Sequence, residues 1–204
     1  AYEIPKRDWS SDVCSSDLSL AYELEEEERA FASDNWCPER ATMTEKQRLF
    51  IESPEVEVCY GGRAGGGKSS GLGMIALDPE LLQVPEYSAL IMRKTYADLA
   101  KPDAIMDRIA RWLAPTAARW NDKNKRWDFP SGAVLTFGYC DGPRDHLQYQ
   151  GATYQLVCVD EATQFPEYQY LYMFSRLRKL KRFERVPTRM RCATNPGGIG
   201  HEWV

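Results

Sequence analysis

The stretch Val56-Glu57-Val58-Cys59-Tyr60-Gly61-Gly62-Arg63-Ala64-Gly65-Gly66-Gly67-Lys68-Ser69 joins three signals end to end. Residues 56–60 read as a strand. Gly62 to Ser69 fit G-x-x-x-x-G-K-[ST], the pattern of a phosphate-binding loop between a strand and a helix. Its glycines let the backbone wrap a polyphosphate with N–H groups pointing inward, and a helix starting near Lys68 adds its positive end. Gly62, Arg63, Gly65, Gly66, Gly67, Lys68, Ser69 and Ser70 are therefore the expected nucleotide-binding set. The pattern directs Lys68 to the β/γ-phosphates and the Ser69 hydroxyl to Mg²⁺. Leu72, Met74, Ile75 and Leu77 give the helix its apolar side.

A second signal lies downstream. Residues 154–159 (Tyr154-Gln155-Leu156-Val157-Cys158-Val159) read as a core strand ending at Asp160-Glu161. Asp160 at the strand tip suits Mg²⁺, and Glu161 one residue further suits activation of an attacking water. The same acid pair could instead cap the next helix. Asn195 follows a final strand, Met190 to Thr194, and precedes Pro196-Gly197-Gly198. It is a candidate catalytic residue that senses phosphate or positions water; a plain Asn-Pro-Gly turn is the alternative. Gln47 could read an adenine edge, since its amide offers a donor and an acceptor. It also completes a capping box begun at Thr44.

The remaining pattern is α/β. Ser88 to Met92 reads as a buried strand, residues 96–113 as a helix bearing Leu99, Ile105, Ile109 and Leu113, and residues 167–180 as another helix. Residues 126–129 and 134–139 flank Pro130-Ser131-Gly132, which predicts a hairpin. Strands alternating with helices predict a mostly parallel central sheet flanked by helices.

Composition narrows the class. The chain has 204 residues, net charge −4 and 43% hydrophobic residues. No apolar run approaches the roughly 18 residues of a membrane span. The charge is uneven: residues 1–50 hold 6 basic and 12 acidic side chains, whereas residues 176–191 hold eight basic side chains and one acid. That basic run reads either as a solvated face or as a contact for nucleic-acid phosphates. Six scattered cysteines suit a reducing compartment, with Cys59, Cys158 and Cys192 expected inside core strands. His146 and His201, far apart, do not suggest structural zinc. Residues 1–43 form a separate N-terminal segment. Its first 18 residues, with the polar Ser10 to Leu18 tract, read as disordered or not native, and an acidic helix follows.

Four segments together resemble the large terminase subunit of tailed bacteriophages: Tyr60 to Ser69, Val159 to Phe165, Ser175-Arg176-Leu177-Arg178, and Ala193 to Gly198. The likeness covers residues 44–204. It implies a P-loop NTPase of the additional-strand, conserved-glutamate class. It implies an ATP- and Mg²⁺-dependent motor that drives double-stranded DNA into a capsid from the host cytoplasm. The partners it implies are a portal protein, a small terminase subunit and further copies in a ring. Within it, Gln47 matches the adenine motif and Thr194-Asn195 the motif coupling hydrolysis to movement. Such motors use an arginine on the transferring phosphate, for which Arg63, Arg93, Arg176 and Arg178 are candidates. Full-length members also carry a nuclease domain, so the chain is expected to be C-terminally truncated. A helicase-like or DNA-repair ATPase, and an inert nucleotide-binding fragment, are the alternatives.

Overall fold

The computed structural model describes residues 37–204 apart from Ala64. The polar tract, the acidic helix and Cys14 lie outside the described residues. Strands β1 (Glu57–Gly61), β2 (Ser88–Arg93), β3 (Arg119–Asn121), β4 (Arg126–Asp128), β5 (Val134–Tyr139), β6 (Leu156–Asp160) and β7 (Arg189–Thr194) form one sheet. Their order is β1-β7-β6-β2-β5-β4-β3. The first five in that order run parallel; β4 and β3 add on antiparallel. β7 thus separates β1 from β6. The tips still align, because Thr194 pairs with Gly61 on one side and Ala193 with Asp160 on the other.

Helices cover both faces, as a parallel sheet requires. α1 (Glu45–Glu52), α2 (Lys68–Ala76) and α5 (Ile105–Leu113) bury Phe50, Ile51, Leu72, Ile75, Ile109 and Leu113 on one face. α6 (Glu167–Phe174) buries Tyr170 and Met173 on the other. Short helices α3 (Pro79–Leu82) and α4 (Tyr96–Leu99) follow α2 and β2. α2 is buried along its length except at Ser69. Its Gly73 admits the Trp112 ring so closely that a Cβ would lie 2.8 Å from it. The α1 capping box forms: Thr44 Oγ1 accepts from the Gln47 N–H, and Gln47 Oε1 accepts from the Thr44 N–H.

Several expectations change. The 96–113 helix is two helices, because Pro102 cannot continue one and Asp103 takes φ 58°. The 167–180 helix stops at Phe174, since Leu177 pairs as a bridge with Tyr154. The hairpin forms, but β5 also joins the central sheet beside β2, and β3 extends it. Cys59 is exposed, because β1 is an edge strand. Arg191, from the basic run, is fully buried: it donates to the Ser53, Glu55 and Val56 carbonyls. Burial lowers its pKa to about 10. It thereby ties β7 to the carboxyl end of α1, where a cation is favoured. Among the described residues no helix is long and apolar enough to cross a membrane.

Candidate active site

The phosphate loop links β1 to α2 at the carboxyl edge of the sheet. Gly67 takes φ 69° at the N-cap of α2, and a Cβ there would lie 2.5 Å from Gln47 Nε2. Glycine therefore satisfies both the left-handed backbone and the close approach. Two side chains brace the loop: Tyr60 donates to the Gly66 carbonyl at 3.0 Å, and Gln47 Nε2 to the Gly67 carbonyl at 2.9 Å. Both ends of the Gln47 amide are thus engaged with protein. Contact with a base would exchange one of these bonds.

The loop lysine points across the site. Lys68 is 8% exposed, and its ammonium donates to Gly62 O at 3.0 Å, Arg63 O at 2.7 Å and Asn195 Oδ1 at 2.9 Å. Asn195 passes the link on, its Nδ2 donating to Glu161 Oε1 at 2.8 Å. Lys68, Asn195 and Glu161 therefore form one chain of hydrogen bonds. Ser69 Oγ lies 3.2 and 3.3 Å from the two oxygens of Asp160. Arg93, at the tip of β2, reaches Asp160 at 3.8 Å and Glu161 at 4.0 Å. Burial raises the Asp160 pKa; the Arg93 charge opposes that shift.

Glu161 holds φ 54°, ψ 53°, a left-handed conformation that costs a non-glycine residue on the order of 1–3 kcal/mol. The next turn is held by a threonine pair. Thr194 Oγ1 donates to Thr163 Oγ1 at 2.9 Å, and Thr163 Oγ1 donates to the Asn195 carbonyl at 3.2 Å. Glu161 and Asn195 thus face each other from adjoining strand ends.

A cavity of about 350 Å³ opens between these groups. Its lining includes Gly65 to Ser70, Arg93, Glu161 and Asn195, with Asp103 to Ile105 and Arg108 opposite. Ser69 and Ser70 are both in its wall. Arg108 was not singled out by sequence. It bonds the Ser70 hydroxyl and reaches Asp103 at 3.4 Å, contacts that only the packing of α5 on α2 reveals. Of the four arginine candidates, Arg93 alone lines the cavity. Arg176 and Arg178 flank the bridge to Tyr154, at the amino end of β6. That is roughly 20 Å from Asp160 at the rise of a strand.

No family model and no curated protein matches the chain. Solved structures do. The large terminase of a thermophilic bacteriophage matches with TM-score 0.59 and 15% identity, over 75% of this chain and 39% of that one. The same terminase has been solved with ADP and with ATP-γ-S. The HK97 bacteriophage large terminase gives TM-score 0.56 and 11% identity, over 76% and 33%. The large terminase ATPase domain of Thermus phage P74-26 gives 0.52 and 19%, over 76% and 66%. The chain spans well under half of the first two. The described residues have the fold of these phage large-terminase ATPase domains, a P-loop NTPase fold.

Proposed function

We propose that the chain is the ATP-hydrolysing motor domain of a viral DNA-packaging machine. The observation that carries this reading is the continuous Lys68–Asn195–Glu161 link at the mouth of a glycine-lined cavity. The nucleotides held by a terminase of the same fold add support.

The Gly65 to Gly67 backbone and Lys68 would hold the phosphates. Lys68 would exchange its loop carbonyls, and Asn195, for phosphate oxygens. Among the described residues no three His, Cys, Asp or Glu gather to bind a metal unaided. Ser69 and Asp160 nonetheless bring hard oxygen donors together, which suits Mg²⁺, an ion that completes its shell with phosphates and water. Bound there, Mg²⁺ would offset charge on the transferring phosphate. Glu161 would accept a proton from the attacking water, held in orientation by Asn195 Nδ2. Arg93 would keep both carboxylates in place. Gln47 supports the loop from below and is the proposed adenine contact. Because Asn195 bonds both Lys68 and Glu161, nucleotide arrival at Lys68 would be felt at Glu161. Double-stranded DNA, a portal, a small terminase subunit and a ring of copies follow from the same reading.

Glu161→Gln tests it. The variant is expected to bind ATP as the parent does, while turnover falls by about 10²–10⁴-fold. Equal turnover in parent and variant would contradict it. Chelation of Mg²⁺ by EDTA is expected to stop turnover in the parent.

A further inference from the structure

β1 and β7 place two cysteines opposite each other. Cys59 and Cys192 are register partners in the parallel ladder. Register partners project from the same face of a sheet, so the two side chains stand side by side. Neighbouring strands lie about 4.8 Å apart, inside the roughly 4.4–6.8 Å Cα range of disulfides. Cys59 is exposed and Cys192 is 3% exposed. A separate cavity of about 170 Å³ is lined by both cysteines, on the face opposite α2 and away from the phosphate loop. Glu57, Tyr170 and Trp203 are also in its wall, and Tyr170 donates to Glu57 Oε1 at 2.6 Å. Cys37, Cys140 and Cys158 are buried, so Cys59 is the one exposed thiol among the described residues.

We propose that Cys59 and Cys192 form a dithiol modification site that a low-molecular-weight disulfide converts reversibly to an intrachain disulfide. The Cys59 thiolate attacks the reagent disulfide, forming a mixed disulfide and releasing one thiol. The Cys192 thiol gives up its proton and attacks the Cys59 sulfur, releasing the second thiol. Two protein thiols are oxidised and one reagent disulfide is reduced to two thiols, each taking one proton. Hydrogen bonding from Cys192 lowers the Cys59 pKa and favours it as the attacking group. The same bond, and then burial, raise that of Cys192, which suits the resolving role. An exposed disulfide of this kind is readily reduced again. The inference does not depend on nucleotide chemistry.

The test is incubation of the intact chain with oxidised glutathione, then thiol titration in denaturant and peptide mapping without reductant. Of the six thiols, two are expected to be lost, in a single 59–192 linked peptide pair that dithiothreitol reverses. Cys59→Ser, at an exposed position, is expected to abolish the link and leave Cys192 free. No reaction, glutathione retained on Cys59 with Cys192 still free, or a Cys14–Cys59 link would each overturn the proposal.

Discussion

Between β1 and β6 the sheet ends in polar tips joined by long-range bonds. Lys68 meets Asn195 across 127 positions and Ser69 meets Asp160 across 91. Between β5 and β3 the strands pair with sequence neighbours, and the contacts are aromatic. Trp120 lies 5.6 Å from Trp127 and 6.1 Å from Phe137. None of the cavity-lining residues comes from that wing. One region thus holds its parts by exchangeable polar bonds that a ligand can replace. The other holds them by ring packing on a buried Leu135 and Phe137, away from the cavity. The first should govern activity and the second stability.

Each substitution below tests that division. Leu135→Ala in β5 removes a fully buried side chain. It is expected to cost about 2–5 kcal/mol of stability, read by denaturant titration, while ATP turnover per folded molecule is unchanged. Loss of turnover in the folded fraction would break the division. Lys68→Ala is expected to weaken ATP binding by about 100-fold, the scale of lost charge-assisted bonds, with an unfolding midpoint that falls less than that of Leu135→Ala. Calorimetric titration reads the first and thermal melting the second. Asn195→Ala is expected to lower turnover about tenfold while altering ATP affinity less, since one hydrogen bond to a charged group is at stake; equal effects on both would remove its coupling role. Thr44→Ala removes the α1 cap and is expected to cost about 1 kcal/mol of stability. Thermal melting reads it, and ATP affinity should move only slightly, because Gln47 retains its bond to the Gly67 carbonyl.

What was legible followed from how each feature is encoded. The phosphate loop and Asp160-Glu161 are contiguous strings, so their strand–loop–helix settings could be read directly. Asn195 could be located, but its bonds to Lys68 and Glu161 depend on β7 lying between β1 and β6. Strand order leaves no local trace, and the exposure of Cys59 was missed for the same reason. Arg108, Tyr60 and the Thr163–Thr194 pair act through tertiary contacts with no periodic signal. The break at Pro102 was readable, since proline without an N–H ends a helix, but the apolar spacing of Leu99, Ile105 and Ile109 across it outweighed that signal. β3 is a three-residue strand, too short to show alternation. Arg191 looked like part of a basic run, either solvated or facing nucleic-acid phosphates, until folding set it among carbonyls at the end of α1.

The most direct measurement is a crystal structure of this chain with Mg²⁺ and ATP-γ-S. The account predicts a triphosphate inside the Gly65–Ser70 cavity, Lys68 Nζ moved from Asn195 onto phosphate oxygens, and Asn195 still bonded to Glu161. A nucleotide seated elsewhere, or a Lys68 that keeps its three present bonds beside a bound triphosphate, would contradict it.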